Sequence, residues 1–132
     1  MENLTPSFEN KQLKTPEQEL AFLREKLAQK EKEVVNLKQE KTPEDINKET
    51  ISEYIQTPST DVLHKDYILP EHKSDAIVLE LKPEEHDTKI SELLSVMQEH
   101  GIKNVFSILD KMNDPHLQDD FERFLVQYIK GG

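Results

Sequence analysis

A chain of 132 residues has room for one small domain plus extensions. Its hydrophobic share of 34% is below the ~45–50% of an ordinary globular domain, and its charged share of 33% is above the usual ~25%, so a compact part and a solvated part are expected. Cysteine is absent, which excludes disulfides, thiol catalysis and cysteine-ligated zinc, and the net charge of −10 opposes direct binding of a phosphate backbone.

The charge is unevenly spread. Residues 1–50 hold 9 basic and 11 acidic side chains, whereas residues 51–132 hold 8 basic and 16 acidic. The opening "MENLTPSFENKQLK" has no basic segment followed by an apolar one, so no signal peptide is read there. The longest apolar runs, "AIVLEL" and "FLVQYI", are far short of a membrane span. A cytoplasmic protein without membrane insertion is the expectation.

Residues 1–14 are polar and unpatterned and read as a disordered lead. At "TPEQ" a helix starts, with Thr15 as N-cap, Pro16 in the first turn and Gln18 closing a capping box. The segment 15–41 reads as a coiled-coil-like helix. Heptad position a falls on Leu20, Leu27 and Val34, and position d on Leu23, Lys30 and Leu37. In a parallel dimer the flanking pairs Glu19–Arg24, Lys26–Glu31 and Glu33–Lys38 are all opposite in sign. The seam Leu20, Leu23, Leu27, Val34 and Leu37 is therefore the expected partner-binding surface, for a protein partner or for weak self-association. The alternative is an amphipathic helix lying on its own domain.

Residues 42–82 read as a short helix, a loop and one strand. "KTPED" repeats the start signal with Thr42 and Pro43, and Ile46, Ile51, Tyr54 and Ile55 share a stripe up to about Gln56. Residues 57–75 read as loop. "DAIVLELKP" alternates, with Ile77, Leu79 and Leu81 on one face, and predicts a strand over 76–81 whose local mate is "DYIL". The four Thr-Pro dipeptides are read as turn and cap chemistry.

Residues 83–132 read as a small three-helix bundle. Ile90, Leu93, Leu94 and Met97 mark its first helix, which Gly101 ends. Val105, Phe106, Leu109 and Met112 mark the second. After "NDP", Asp114 caps a third helix with Leu117, Phe121, Phe124, Leu125, Tyr128 and Ile129 inward. The fold class is thus mainly α.

No pair of the histidines His64, His72, His86, His100 and His116 stands three or four residues apart. "PEEHD" clusters Glu84, Glu85, His86 and Asp87, and His116 stands near Asp119 and Asp120, but first-turn placement accounts for both groups. Glycine is absent from residues 1–100, so no P-loop or dinucleotide fingerprint exists there. No catalytic, cofactor-binding or metal-ligating residue is assigned, and no cofactor is expected. A weak metal-dependent enzyme built on His86 is kept as a minor alternative.

The stretches "HGIKN", "NDPHLQDDF" and "RFLVQY" carry a resemblance over about residues 15–132. They resemble the N-terminal region of a group of large, poorly characterised bacterial proteins. In those, a coiled-coil-like lead and a helical segment precede a region like the motor ATPases of conjugation and type IV secretion. The resemblance implies an accessory assembly module, continuing into a longer protein, and it assigns no site residue. The departure is plain, because no G-x-x-x-x-G-K-S/T occurs in this sequence. The expected function is a non-enzymatic protein-interaction or assembly module, either in such a machine or as a free-standing acidic adaptor.

Overall fold

The structure, a computed structural model, describes residues 12–37 and 42–131. It is mainly helical, with seven helices among the described residues: α1 (Pro16–Leu37), α2 (Pro43–Gln56), α3 (Ser59–Val62), α4 (Glu71–Leu81), α5 (His86–His100), α6 (Ile102–Met112) and α7 (Pro115–Gly131). Residues 1–11 of the expected lead and residues 38–41 lie outside the described residues. Leu13, also assigned to that lead, is ordered. It forms an isolated parallel bridge to Leu63, with Leu13 N–H donating to Val62 O at 2.9 Å and His64 N–H to Leu13 O at 2.9 Å.

Local chemistry sets the helix starts. Thr15 Oγ1 accepts from Gln18 N–H at 3.1 Å, and Gln18 Oε1 accepts from Lys14 N–H at 2.8 Å, one residue before the position a regular capping box would use. Thr42 Oγ1 caps α2 through Asp45 N–H at 3.1 Å, and Asp114 Oδ1 caps α7 through Leu117 N–H at 3.2 Å. Each such cap contributes about 1 kcal/mol.

One apolar core collects side chains from every helix. Leu23 and Leu27 of α1, Ile51 and Tyr54 of α2, Val62 of α3, Val78 and Leu81 of α4, and the inner stripes of α5, α6 and α7 all belong to it. The three C-terminal helices occur where the sequence predicts them, but they are not a separate bundle. α4 packs on α6, and α1 packs on α5, α6 and α7. α7 buries Leu117, Phe121, Leu125 and Ile129, a strict four-residue repeat. Phe124 falls outside that repeat and is 48% exposed, and Tyr128 is only partly buried. Both were expected inward.

The predicted strand over 76–81 is helix α4 instead. The two periods compete over the same residues. The alternating set would bury Leu79, which is 70% exposed, whereas the helix buries Ser74, Val78 and Leu81. A single strand leaves a row of unpaired backbone groups, while a helix satisfies its own. The expected mate "DYIL" is held differently. Asn104 Oδ1 accepts from Leu69 N–H at 2.9 Å, and Asn104 Nδ2 donates to Tyr67 O at 2.9 Å, so one side-chain amide supplies what a neighbouring strand would have supplied. Lys111 Nζ then ties α6 to α4 through Asp75 at 2.9 Å and Glu71 at 3.4 Å.

The assembly of these helices turns on Glu19. α6 begins at Gly101, which has no side chain to cap it. The fully buried Glu19 carboxylate on α1 takes that place, with Oε1 accepting from Ile102 N–H at 2.6 Å and Oε2 from Lys103 N–H at 2.8 Å. Tyr67 donates to Oε1 at 3.1 Å, and Tyr54 donates to Oε2. A helix N-terminus favours an anion through its free N–H groups and its dipole. Burial nevertheless pushes the Glu19 carboxyl above its usual range, against the lowering effect of these four hydrogen bonds. Gly101 sits at φ +94, and a Cβ there would collide with the Tyr67 hydroxyl and with Glu19 Oε1, so only glycine fits.

Two predictions follow from this network. Glu19→Ala strands two backbone donors and the Tyr54 hydroxyl in the core, and removes the acceptor of the partly buried Tyr67 hydroxyl, and is expected to cost about 3–5 kcal/mol of unfolding free energy by denaturant titration. A loss under about 1 kcal/mol would show that the network does not hold the fold. Lys103 gives a pH signature. Its ammonium donates to Ile55 O at 2.9 Å and lies 5.2 Å from the Tyr54 ring centroid, and burial lowers its pKa to about 8. The folded protein therefore binds this proton less tightly than the unfolded chain does. Stability is expected to rise with pH from about 8 towards the free-lysine value of about 10.4. Burial and Glu19 raise Tyr54 and Tyr67, so above pH ~10 their ionisation in the unfolded chain pulls stability down. Chemical denaturation across pH 7–11 should show the rise and the fall, and Lys103→Met should remove the rise alone.

Candidate functional site

The first turns of α5 and α7 lie side by side. α5 opens with His86 after the extended residue Glu85, and α7 opens with Pro115 after its cap Asp114. The helical repeat then places His116 and Asp120 one turn apart on the same face of α7. The packing of α5 on α7 brings His86 to them. His86 Nε2 lies 2.8 Å from Asp120 Oδ2, and His116 Nε2 lies 3.7 Å from the same oxygen. The two imidazole rings are 5.1 Å apart between centroids, at 30° to one another. His86 and Asp120 are partly buried, and the His116 side chain is 79% exposed.

From this cluster a groove of about 460 Å³ runs between α5 and α7. Ile90, Leu94 and Phe124 give it an apolar lining, and Asp87, Asp120 and Arg123 are its charged residues. Arg123 is paired to Asp119 at 3.3 Å, and Asp120 is paired to His86 at 2.8 Å. Phe124, expected in the core, is instead a half-exposed aromatic wall of this groove.

The expected partner-binding seam on α1 is distributed differently. Leu23 and Leu27 are buried in the chain's own core, and Leu20 packs against it from a shallow groove with Met97 and Tyr128. Val34 is half-buried, and the side chain of Leu37 lies outside the described residues. The seam from Leu20 to Leu27 is thus occupied within the chain. Its flanking charges have internal roles too. Glu19 caps α6, Arg24 Nε donates to Ile129 O at 2.9 Å, and Lys30, the polar residue at position d, faces Glu53 of α2 at 4.0 Å.

A second cluster of ionisable groups, Glu19, Tyr54 and Lys103, has its proton affinities shifted by burial. All three are buried and bonded to one another or to backbone, so they hold the fold and offer no surface to a substrate. The sequence carried a signal for His116 and Asp120 in their spacing of four residues. It singled out His86 only with its neighbours Glu84, Glu85 and Asp87, and carried no signal that His86 meets Asp120, a distance set by helix packing. No family model, no curated protein and no solved structure matches this chain. Among the described residues no helix is long and apolar enough to cross a membrane.

Because the His86–Asp120 pair is about one-third exposed on each side, Asp120→Asn is expected to change unfolding free energy by no more than about 1 kcal/mol. A thermal melt of the variant beside the parent checks this. A loss several times larger would make the pair a structural element of the fold.

Proposed function

We propose that this chain is a non-enzymatic protein-interaction module whose docking surface is the α5–α7 groove. The observation that carries the reading is Phe124. It is 48% exposed in a groove also lined by Ile90 and Leu94, whereas Leu117, Phe121, Leu125 and Ile129 of the α7 stripe are buried. Exposed aromatics beside a partly apolar groove are the usual anchors of helix-in-groove recognition. The occupant is a basic amphipathic helix of a protein partner. Asp87 lies beside the apolar lining, and residues 51–132 carry twice as many acids as bases, so charge complementarity favours a Lys/Arg-rich segment and disfavours a second copy of this acidic chain. The resemblance of residues 15–132 adds a setting, as an accessory part of a secretion- or conjugation-type machine. Its test is whether the native reading frame continues past Gly132 into a nucleotide-binding motif.

The docking surface is tested with a fluorescent helical peptide carrying leucines at i, i+3, i+4 and i+7 and lysines elsewhere. Saturable anisotropy that weakens on raising salt from 50 to 500 mM, and at least tenfold weaker binding to Phe124→Ser, is the expected result. Binding that is unaffected by Phe124→Ser would remove the groove from consideration. Sedimentation showing a dimer that Phe124→Ser dissociates would reassign the face to self-association.

A further inference from the structure

We propose that His86, His116 and Asp120 form a binding site for a divalent transition-metal ion, Zn²⁺ foremost. Among the described residues they are the one set of three His and acidic side chains with ligand atoms all within 4.8 Å of one another. The set is also chemically specific. Two imidazole nitrogens and one carboxylate oxygen suit Zn²⁺, Co²⁺ or Ni²⁺, whereas Mg²⁺ and Ca²⁺ take oxygen ligands.

The spacing fits a tetrahedral ion. Bonds of about 2.0–2.1 Å at tetrahedral angles put ligand atoms roughly 3.3–3.4 Å apart. The observed separations to Asp120 Oδ2, 2.8 Å from His86 and 3.7 Å from His116, bracket that value. Both contacts use Nε2, and coordination there leaves Nδ1 to carry the ring proton. His116 is on the surface and turns about its own side-chain bonds, so closing the third side of the triangle needs no backbone movement.

Helical spacing brings His116 to within 3.7 Å of Asp120 Oδ2, and His86 reaches the same oxygen from a different helix. The other histidine contacts differ in kind. His64 meets Asp66 two residues away, and His100 meets its neighbour Glu99, as chain proximity alone would give. His86 and Asp120 are 34 residues apart and on different helices. Three protein ligands also leave one coordination position open, the pattern of exchangeable rather than purely structural zinc. His86 and Asp120 both line the α5–α7 groove, so water or a partner side chain has access to that position.

Calorimetric titration of the metal-free chain with Zn²⁺ should give one ion per chain, with no heat from Mg²⁺ or Ca²⁺. The Co²⁺ form should show the intense visible absorption of tetrahedral coordination, and chelation should reverse both. His116→Ala is the decisive variant, because its exposed ring contributes little packing and the fold is preserved. It should weaken Zn²⁺ binding at least tenfold, as should His86→Ala and Asp120→Asn, with helical circular dichroism unchanged. A variant lacking His64, His72 and His100 together should bind as the parent does. Absence of Zn²⁺ heat, or equal binding by His116→Ala, would overturn the site. Loss in the triple variant would assign binding to other surface histidines. Phe124→Ser should leave Zn²⁺ binding in place, so failure of peptide docking and failure of the metal site are read separately.

Discussion

A carboxylate capping a helix that cannot cap itself is the interaction on which the rest of this structure depends. α6 is the central helix, with eight of its eleven residues buried, and it starts at a glycine. Its first N–H groups lie in the protein interior, where an unpaired donor costs about 1–3 kcal/mol. Glu19 meets two of them from 83 and 84 residues away in sequence. The same carboxylate orders Tyr54 on α2 and Tyr67 in the segment before α4. One side chain thereby fixes the relative positions of four parts of the chain, and the position of Gly101 follows from the lack of room beside it.

The stretch from Leu20 to Leu27 of the α1 stripe is covered by that arrangement. A heptad pattern with opposite flanking charges describes a helix that requires a partner surface. In this chain α2 and the C-terminal helices provide it. Burial of a leucine contributes about 1.5–3 kcal/mol whichever surface covers it. An intramolecular partner is present at far higher effective concentration than a second molecule, so internal coverage wins. The charged positions follow the same logic. Lys30, a flaw in a dimer seam, faces an acid across an internal helix pair, and Arg24 reaches a carbonyl of α7.

The groove and the histidine cluster both arise from the α5–α7 contact. α7 buries a narrow four-residue repeat, so Phe124, one residue before Leu125 in that repeat, is left at the edge. His116 in the first turn of α7 and Asp120 one turn later share the face beside the start of α5. Helix starts attract acids for dipole reasons, which is why the acids here looked unremarkable from sequence. What distinguishes Asp120 is two imidazoles converging on one of its oxygens, a property of position in space.

The sequence by itself determined where α1, α2 and α7 start and where α5 ends, because caps, prolines and Gly101 act over three or four residues and need no distant partner, whereas α3 and α4 fall in segments that read as loop and strand. Thr15, Thr42 and Asp114 each bond within the turn that they start. It also determined most inward-facing positions of α5 and α6, since the helical repeat is intrinsic to those stripes. Tertiary structure decided the rest. Residues 76–81 carry both an alternating and a helical pattern, and the absence of a strand mate together with the surface of α6 selected the helix. Whether α1 covers itself or another chain, whether Glu19 is a surface charge or a buried cap, and whether His86 has companions all depend on contacts dozens of residues apart. Local chemistry encodes where a helix starts and stops, but the energy that chooses its neighbours comes from surfaces that exist only once the chain has folded.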